Sequence, residues 1–410
     1  MSCCNRRIFL KNSAFALVAL GVHPRFLTRT AYAQSTNGNK VLVAIFQRGA
    51  VDGLSMVVPF SDPYYTALRN SIKIAAPGAA NGALDLGGGF GLHPALAPLK
   101  PIYDSGALAL VHACGSPDST RSHFEAQDYM ETGTPGVPAP DGWLNRHLVA
   151  TNASFPGIAL AGAMPRSLGG VGPAIAISSL ESLVVESDAP AAQLRATRLE
   201  MHQGRTDIIG TTGQAAIAAM DAATYLDPAN YQPANGAEYP QTEFGNRMRN
   251  IAQLIKTDVG LELAFTEIGG WDTHNNQGGS NGDLAGNLGE FAQGLAAFHQ
   301  DLGDKMADVC VLSMSEFGRT VAENGSGGTD HGHGTAMLVL GGTVSGGRIY
   351  GPWPGLAPEQ LYQGRDLAVT TDFRTLFGEI VDKHLGNPNV GAVFPGFSYD
   401  PAAALGVIQA

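Results

Sequence analysis

Basic residues are scarce in this 410-residue chain, which has 25 Lys and Arg against 36 Asp and Glu. Five of the basic residues and no acidic one precede position 34, so the rest of the chain has 20 basic against 36 acidic residues, a balance of −16. A surface this acidic argues against nucleic acid and anionic lipid as partners, because both would be repelled. The same balance suits a protein that gathers metal cations at one site.

Cysteine is also rare, with four residues in the chain. Cys3 and Cys4 lie near the N-terminus, whereas Cys114 and Cys310 both occur in apolar runs that resemble buried strands. An oxidising compartment would allow the latter two to pair, but free cysteine is commonly buried. The sequence therefore favours two buried free thiols over a disulfide.

Beyond the N-terminal segment, no apolar run is long enough to span a membrane, and the N-terminal run at 14–22 is itself too short. This run follows Arg6 and Arg7 in the stretch NRRIFLK and precedes Ala31-Tyr32-Ala33, a small-residue cleavage site. Together these features predict a twin-arginine signal peptide over residues 1–33, although an amphipathic first helix is the alternative. We expect export of the folded chain by the twin-arginine translocase, a periplasmic or extracellular location, and no stable membrane insertion.

The remaining residues, 34–410, are enough for one large domain. Continuous apolar runs of strand length, typical of strands buried on both faces, occur at 40–46, 107–113, 261–268, 309–314 and 336–340. Helical periodicity occurs at 244–255, 284–302 and 373–384, with Gly386 placed as a helix stop. This alternation predicts an α/β fold with a central, mostly parallel sheet flanked by helices. Residues 152–240, which are richer in Gly, Pro and Ala, are predicted to be an inserted cap over one rim of the sheet.

Clusters of polar residues follow the predicted strands, and one cluster precedes the last of them. The clusters are 47–53, 115–124, 269–274, 315–319 and 330–334. Ligands of such folds bind at the carboxyl ends of the strands, so we expect these clusters to meet along one rim.

Carboxylates and imidazoles within these clusters have the character of metal ligands. Asp272 and His274 are two residues apart, as are His331 and His333, so each pair would point the same way on an extended segment. Each histidine alone is more often structural, Asp52-Gly53 suits a simple turn, and the segment from 330 to 333 suits a flexible polar loop. The convergence of the clusters nevertheless favours a metal site.

Ser122 is the preferred candidate nucleophile, because it begins a predicted helix at 122–129 whose N-terminal amides would stabilise an oxyanion. Arg121 stands beside it, and Thr120 is an alternative nucleophile. A bound metal would lower the pKa of the hydroxyl. The competing interpretation is that Ser119, Thr120 and Ser122 only cap the helix. No G-x-S-x-G elbow surrounds Ser122, which argues against a Ser–His–Asp esterase.

Several long stretches resemble a known family, DUF1501, whose exported bacterial members are grouped with the alkaline phosphatase-like superfamily. The stretches are FQRGAVDGLSMVVP, FGLHPALAPLKPIYDSGALALVHACGSPDSTRSHFEAQDYMETGTPG, GGWDTH, SEFGRT, DHGHGTAMLVLGG and TTDFRTLFGEI. The resemblance implies an alkaline phosphatase-like fold with two divalent metal ions, Zn, Mn or Ca, at the carboxyl rim of the sheet. It implies one metal near Asp52, Ser122 and Glu316, with His331 as a further ligand. The other metal would lie near Asp272, His274 and His333.

The chain also departs from the superfamily pattern. SEFG lacks the histidine of the D-H-G motif, so one ligand is missing unless His331 or Asp330 replaces it. The spacing between Asp272 and His274 is shorter than usual, and the segment from Cys114 to Pro117 does not match the C-x-P-x-R signature of formylglycine sulfatases.

The leading functional hypothesis is a metal-dependent hydrolase of a small anionic substrate, a phosphate or sulfate ester. Ser122 would attack in line, while Arg121 or Arg48 would hold the equatorial oxygens of the anion. The alternative is a non-catalytic, metal-stabilised binding or assembly protein on the same scaffold, since a fold does not determine function.

Overall fold

The computed structural model describes residues 40–153, 155–183, 200–202, 204–205, 208–223, 226 and 228–409. The predicted signal peptide at 1–33 lies outside these residues. Within the described part of the chain, nine strands form one central sheet and three short strands form a second. The strands are β1 Val41–Gln47, β2 Val57–Val58, β3 Leu84–Gly87, β4 Phe90–Leu92, β5 Leu108–Gly115, β6 Gly157–Leu160, β7 Ala174–Ile177, β8 Leu263–Ile268, β9 Val309–Met314, β10 Thr335–Gly341, β11 Arg348–Tyr350 and β12 Thr371–Asp372.

The central sheet is mostly parallel, as the apolar runs predict. Its order is β11–β5–β10–β9–β1–β8–β6–β7, with β12 beside the end of β5. Strand β1 pairs in parallel with both β8 and β9, and all seven of its residues are buried. Burial on both faces explains why these strands are uniformly apolar instead of alternating.

Strand β10 departs from the parallel arrangement, since it runs antiparallel to both β5 and β9. Its seven residues are as fully buried as those of its parallel neighbours, so its composition carries no sign of its direction. The reversal has a structural consequence. The segment that precedes β10 lies at the same rim as the segments that follow β1, β5, β8 and β9.

Helices cover both faces of the sheet. They are α1 Gly53–Met56, α2 Pro63–Leu68, α3 Lys100–Asp104, α4 His123–Thr132, α5 Trp143–Thr151, α6 Ile208–Ala223, α7 Glu243–Lys256, α8 Asp283–Leu302, α9 Phe373–Glu379 and α10 Val390–Val393. On one face, α7 and α8 pack with Val43 and Ile45 of β1. On the other face, α5, α9 and α10 pack with Leu42 and Phe46. Alternate residues of one strand therefore belong to two separate cores.

The helices expected from the apolar periodicity at 244–255 and 284–302 correspond to α7 and α8. The periodicity at 373–384 corresponds to α9 and a π-helical turn, Ile380–His384, after which Gly386 has a φ of 66°. The expected cap at 152–240 differs from a simple rim cover, because β6 and β7 within it extend the edge of the central sheet. Residues 184–199 of this segment lie outside the described part.

Cys114 and Cys310 are both buried and unpaired, as the sequence predicts. Cys114 lies near the end of β5, and Cys310 lies near the start of β9, with β10 between the two strands. The described helices include none with the length and apolarity that a membrane crossing requires.

Two buried histidines make folding stability sensitive to acid. Burial lowers the pKa of His112 and of His384 from the ordinary value near 6.5 to about 4. Each ring nitrogen has a partner suited to neutral imidazole. For example, His112 Nε2 donates to the carbonyl of Val57 at 2.9 Å, and its Nδ1 accepts from the amide of Ala113 at 2.9 Å.

We predict that the free energy of unfolding of the metal-free protein falls as pH drops from 6.5 towards 4. In this window the two histidines bind protons in the unfolded chain but stay neutral in the folded chain. Each histidine therefore lowers the free energy of unfolding by about 2 kcal/mol between pH 7 and 5. Urea titrations at several pH values measure the slope. A His112→Gln variant should lose about 2 kcal/mol of this dependence between pH 7 and 5, and an unchanged slope would show that His112 is not held neutral.

Candidate metal centre

The rim that holds the carboxyl ends of β1, β5, β8 and β9 brings the predicted polar clusters together. The segment from Ser315 to Thr320 pairs with the segment before β10 as a short antiparallel ribbon. In this ribbon the amide of Gly332 donates to the carbonyl of Gly318 at 2.8 Å, and the amide of Gly318 donates to the carbonyl of His333 at 2.8 Å. A Cβ atom at Gly318 would lie 1.9 Å from the carbonyl oxygen of Gly334, so only glycine allows this approach. The ribbon fixes His331.

The loop after β8 is anchored by Trp271, which is fully buried and donates from Nε1 to the carbonyl of Ile268 at 2.9 Å. This anchor places the neighbouring Asp272 at the rim, half exposed. Gly49, in the loop after β1, has a φ of 115°, and a Cβ there would lie 2.6 Å from the amide nitrogen of Asp272. Both its conformation and this close contact require glycine.

His123 reaches the same place from α4, of which it is the first residue. Ser122 occupies the N-cap position of this helix, but its side chain makes no capping hydrogen bond. The polar cluster after β5 thus contributes an imidazole as well as the hydroxyl expected from the sequence.

Three side chains form a tight group of potential metal ligands, namely His123, Asp272 and His331. Nε2 of His331 lies 2.9 Å from Nε2 of His123 and 3.3 Å from Oδ1 of Asp272. Nε2 of His123 lies 3.5 Å from the same carboxylate oxygen. His274 adjoins the group, with its Nε2 at 2.9 Å from that of His331 and 3.1 Å from Asp272 Oδ1.

These spacings suit ligands of one cation. Tetrahedral zinc with bonds of about 2.0–2.1 Å separates its ligand atoms by about 3.3 Å. The separations given above, from 2.9 to 3.5 Å, bracket that value. Without a cation, by contrast, two unprotonated imidazole nitrogens at such a separation would repel each other.

The far nitrogen of each imidazole is held by an oxygen acceptor. Nδ1 of His123 lies 2.8 Å from Glu316 Oε1, and Nδ1 of His274 lies 2.9 Å from Asp330 Oδ1. Nδ1 of His331 lies 2.9 Å from the carbonyl oxygen of Arg121. Each Nδ1 therefore donates a proton to its acceptor, which in a neutral imidazole leaves the lone pair on Nε2 for a cation. Such outer acceptors orient metal-binding imidazoles and raise their basicity.

The charges at the centre favour an ionised Asp272. Burial opposes its ionisation, but a hydrogen bond of 2.6 Å from Arg319 Nη2 and the positive charge of this arginine hold the pKa of Asp272 at about 2. Burial lowers the pKa of His331. The hydrogen bond to Glu316 raises the pKa of His123, so this histidine retains its extra proton more readily. A cation that binds there must displace that proton.

Glu316 lies behind His123 and not among the ligand atoms. Its Oε1 accepts from Nδ1 of His123, from Nε2 of Gln127 at 2.9 Å and from the amide of Gly49 at 2.9 Å. Burial works against its ionisation, but the hydrogen bonds, that of His123 foremost, lower the pKa of Glu316. With three donors on one oxygen, Glu316 holds the imidazole of His123 and lies outside the group of potential metal ligands.

Asp52 is likewise separated from the ligand group. Its carboxylate is almost fully buried and bidentate with Arg69, at 2.5 and 3.0 Å, and it accepts from Gln277 at 2.7 Å. Burial would raise the pKa of Asp52, but the charge of Arg69 lowers it. Asp52 was predicted to bind a metal cation, but in the structure its positively charged partner is Arg69.

Of the other predicted residues, His333 stacks on Tyr362, with ring centroids 4.1 Å apart, while His331 takes the position in the centre. The guanidinium of Arg48 has three side-chain partners, which are Glu267, Glu131 and Gln127. Thr120 donates to Glu125 at 2.6 Å and accepts from the amide of Ser122.

Arg121 binds Asp366 and Gln363 through its guanidinium. The sequence analysis did not identify His123 as a potential metal ligand, although His123 lies in the same polar cluster, 115–124, as Ser122. It also missed Arg69, Arg319 and Asp366, whose partners are distant in the chain.

One comparison with known proteins identifies a family. The model of a family described as "Protein of unknown function (DUF1501)" matches residues 177–391. This segment contains Asp272, His274, Glu316 and His331, but it begins after His123. No curated protein matches the chain. The match spans 215 of 410 residues, more than half, and the chain therefore belongs to the DUF1501 family.

Proposed function

We propose that the protein is an exported hydrolase of phosphate or sulfate esters that uses one divalent cation and Ser122 as nucleophile. The cation ligands are His123, Asp272, His331 and His274. The observation that carries this proposal is that the Nε2 atoms of three imidazoles all lie within 3.5 Å of Asp272 Oδ1, while each Nδ1 faces an oxygen acceptor. An arrangement with its outer acceptors in place is typical of metal sites.

The charges support one cation instead of the two that the superfamily resemblance implies. Asp52 is neutralised by Arg69 and Glu316 is saturated by donors, so both expected ligands of a second cation are already engaged. Arg319 also places a fixed positive charge on Asp272. A second cation beside Asp272 would meet this guanidinium at short range.

The ligand set favours zinc among the candidate metals. Three imidazole nitrogens and one carboxylate oxygen suit zinc, whereas calcium prefers six to eight oxygen ligands. Manganese accepts nitrogen and oxygen but binds such sites more weakly than zinc.

The chemistry then falls to Ser122. A divalent cation supplies Lewis acidity, which lowers the pKa of a nearby hydroxyl and stabilises negative charge on the ester oxygens. The Ser122 hydroxyl is half-buried, lies one residue from His123 and makes no capping bond. Its oxygen would form a bond to phosphorus or sulfur as the alcohol leaves with the proton. Water would then hydrolyse the seryl ester, which releases inorganic phosphate or sulfate and restores the hydroxyl.

The finer fold assignment, alkaline phosphatase-like, belongs to the same proposal. It is supported by a mostly parallel sheet whose carboxyl rim carries the candidate ligands. A serine at the start of the helix that follows β5 also fits this assignment. The amides at the start of α4 would help to stabilise an oxyanion there.

Export through the twin-arginine route is also a proposal, supported by the stretch NRRIFLK and by Ala31-Tyr32-Ala33. We expect an Arg6→Lys, Arg7→Lys double variant to remain in the cytoplasm as the uncleaved precursor. Cell fractionation with immunoblotting in a host that has this translocase measures the outcome. Delivery of the variant to the periplasm at the wild-type level would refute the route.

A non-catalytic, metal-stabilised binding or assembly protein remains the second candidate. It is favoured by the pairing of both predicted anion-binding arginines, Arg48 and Arg121, with carboxylates. This candidate predicts that chelation lowers thermal stability while the loaded protein turns over no ester.

The ligand assignment makes a prediction about metal content. Protein purified without chelator should contain a single equivalent of divalent metal, and His331→Ala should lose it because a central ligand is gone. His333→Ala is the matched control and should keep its metal, since that imidazole stacks on Tyr362. Inductively coupled plasma mass spectrometry measures both. Equal loss in the two variants, or folded wild-type protein without metal, would contradict the assignment.

The nucleophile assignment makes a separate prediction. Ser122→Ala should lower kcat by about 10³-fold or more on aryl phosphate and sulfate esters, with metal content unchanged, because the attacking oxygen is removed. Ser119→Ala, an exposed neighbour in the same loop, is the control and should keep its activity. Full activity in Ser122→Ala would remove it as nucleophile, and no turnover by metal-loaded wild type would favour the non-catalytic candidate.

A further inference from the structure

A second charged cluster lies beside the metal centre, around the fully buried carboxylate of Asp366. Arg121 binds its Oδ2 through Nη2 at 2.6 Å and through Nε at 3.1 Å. Arg365 binds both of its oxygens, with Nε at 2.9 Å from Oδ1 and Nη2 at 3.2 Å from Oδ2. Asp366 thus holds two guanidiniums in defined positions.

Both arginines contact one residue of the metal centre. The carbonyl oxygen of Arg121 accepts from Nδ1 of His331, and Nη2 of Arg365 donates to the carbonyl oxygen of His331 at 2.7 Å. The loop that carries Arg365 is fixed to the rim, since the amide of Gly334 donates to the carbonyl of Leu367 at 2.9 Å. The two guanidiniums therefore flank the centre on rigid backbone.

The cluster carries an excess of positive charge. Two arginines share one carboxylate in Arg121, Asp366 and Arg365, which leaves a formal charge of +1. The surroundings of Arg48 are the opposite, because one arginine faces both Glu131 and Glu267 and leaves −1. Of the two arginines predicted to bind an anion, only Arg121 lies in a cluster of ion pairs with a net positive charge.

The two arginines also have donors to spare. Nε and Nη2 of each are engaged, but within the described part of the chain Nη1 of Arg121 and Nη1 of Arg365 have no recorded hydrogen-bond partner. Their side chains are 28% and 45% exposed. Arginine forks of this kind match the oxygen geometry of phosphate and sulfate.

We propose that Arg121 and Arg365, positioned by Asp366, form a subsite that binds the tetrahedral oxyanion of the substrate. The role of the subsite in catalysis rests on the proposed function, but anion binding itself does not. Arg365 replaces Arg48 as the second anion-binding residue, and Asp366 acts as a positioning residue that fixes both guanidiniums.

The test is isothermal titration calorimetry of inorganic sulfate and inorganic phosphate with metal-free protein, so that no cation contributes to binding. We expect Arg365→Gln to weaken binding of the preferred anion by about tenfold or more, since a charge-assisted hydrogen bond is lost. Arg348→Gln is the control, because it removes the same charge from an exposed arginine of β11 that donates to Ser345 at 2.7 Å. Comparing sulfate with phosphate shows which oxyanion is preferred.

Unchanged binding in Arg365→Gln, equal weakening in Arg348→Gln, or no binding of either anion by wild type would overturn the subsite. If Arg365→Gln fails to fold, Arg365→Lys serves instead, because lysine keeps the charge but lacks the planar fork of donors that bridges Asp366 and an anion. The kinetic readout is separate. An Arg365-dependent anion site in a protein without turnover would overturn the hydrolase and leave the subsite standing.

Discussion

The buried guanidinium of Arg319 is the interaction on which the rim depends. It donates to the carbonyls of Gly49 and Ala50 in the loop after β1, and to the carbonyl of Trp271 and the carboxylate of Asp272 after β8. It also donates to the carbonyl of Thr329, ahead of β10. A buried charge is tolerated only when its donors are satisfied, so these loops cannot separate without exposing an unpaired cation. The position of Asp272 relative to His331 follows from this constraint.

Fixed arginines also determine how much positive charge the rim can still accept. Arg69 is paired with Asp52, so that carboxylate is already neutralised by a protein charge, and Arg319 offsets part of the negative charge that Asp272 offers to a cation. Part of the acidic excess of the chain is therefore neutralised at this rim by arginines of the protein itself. The group of potential metal ligands around His331 lies beside the cluster formed by Arg121, Asp366 and Arg365.

The sequence predicts the sheet well, because strands buried on both faces are apolar throughout, as in β1 and β9. It cannot predict the direction of β10, since burial imposes the same composition on parallel and antiparallel strands. Polar clusters after strands locate the rim, but the roles within it depend on partners distant in the chain. In the sequence Glu316 has the character of a metal ligand, but in the structure its carboxylate accepts from His123, 193 residues away. Asp52 has the same character, but its carboxylate is paired with Arg69.

The neighbouring positions of Ser122 and His123 link the proposed nucleophile to the group of potential metal ligands. His123 is fixed at Nδ1 by Glu316, which the amide of Gly49 and Gln127 hold in turn. Because His123 is the first residue of α4, whatever fixes its imidazole also fixes the N-cap residue before it. Arg121, one residue earlier, orients His331 through its carbonyl and binds Asp366 through its guanidinium. In the proposed function, three consecutive residues would supply an anion-binding charge, a hydroxyl and a metal ligand, and such proximity is what a transfer reaction at one centre requires.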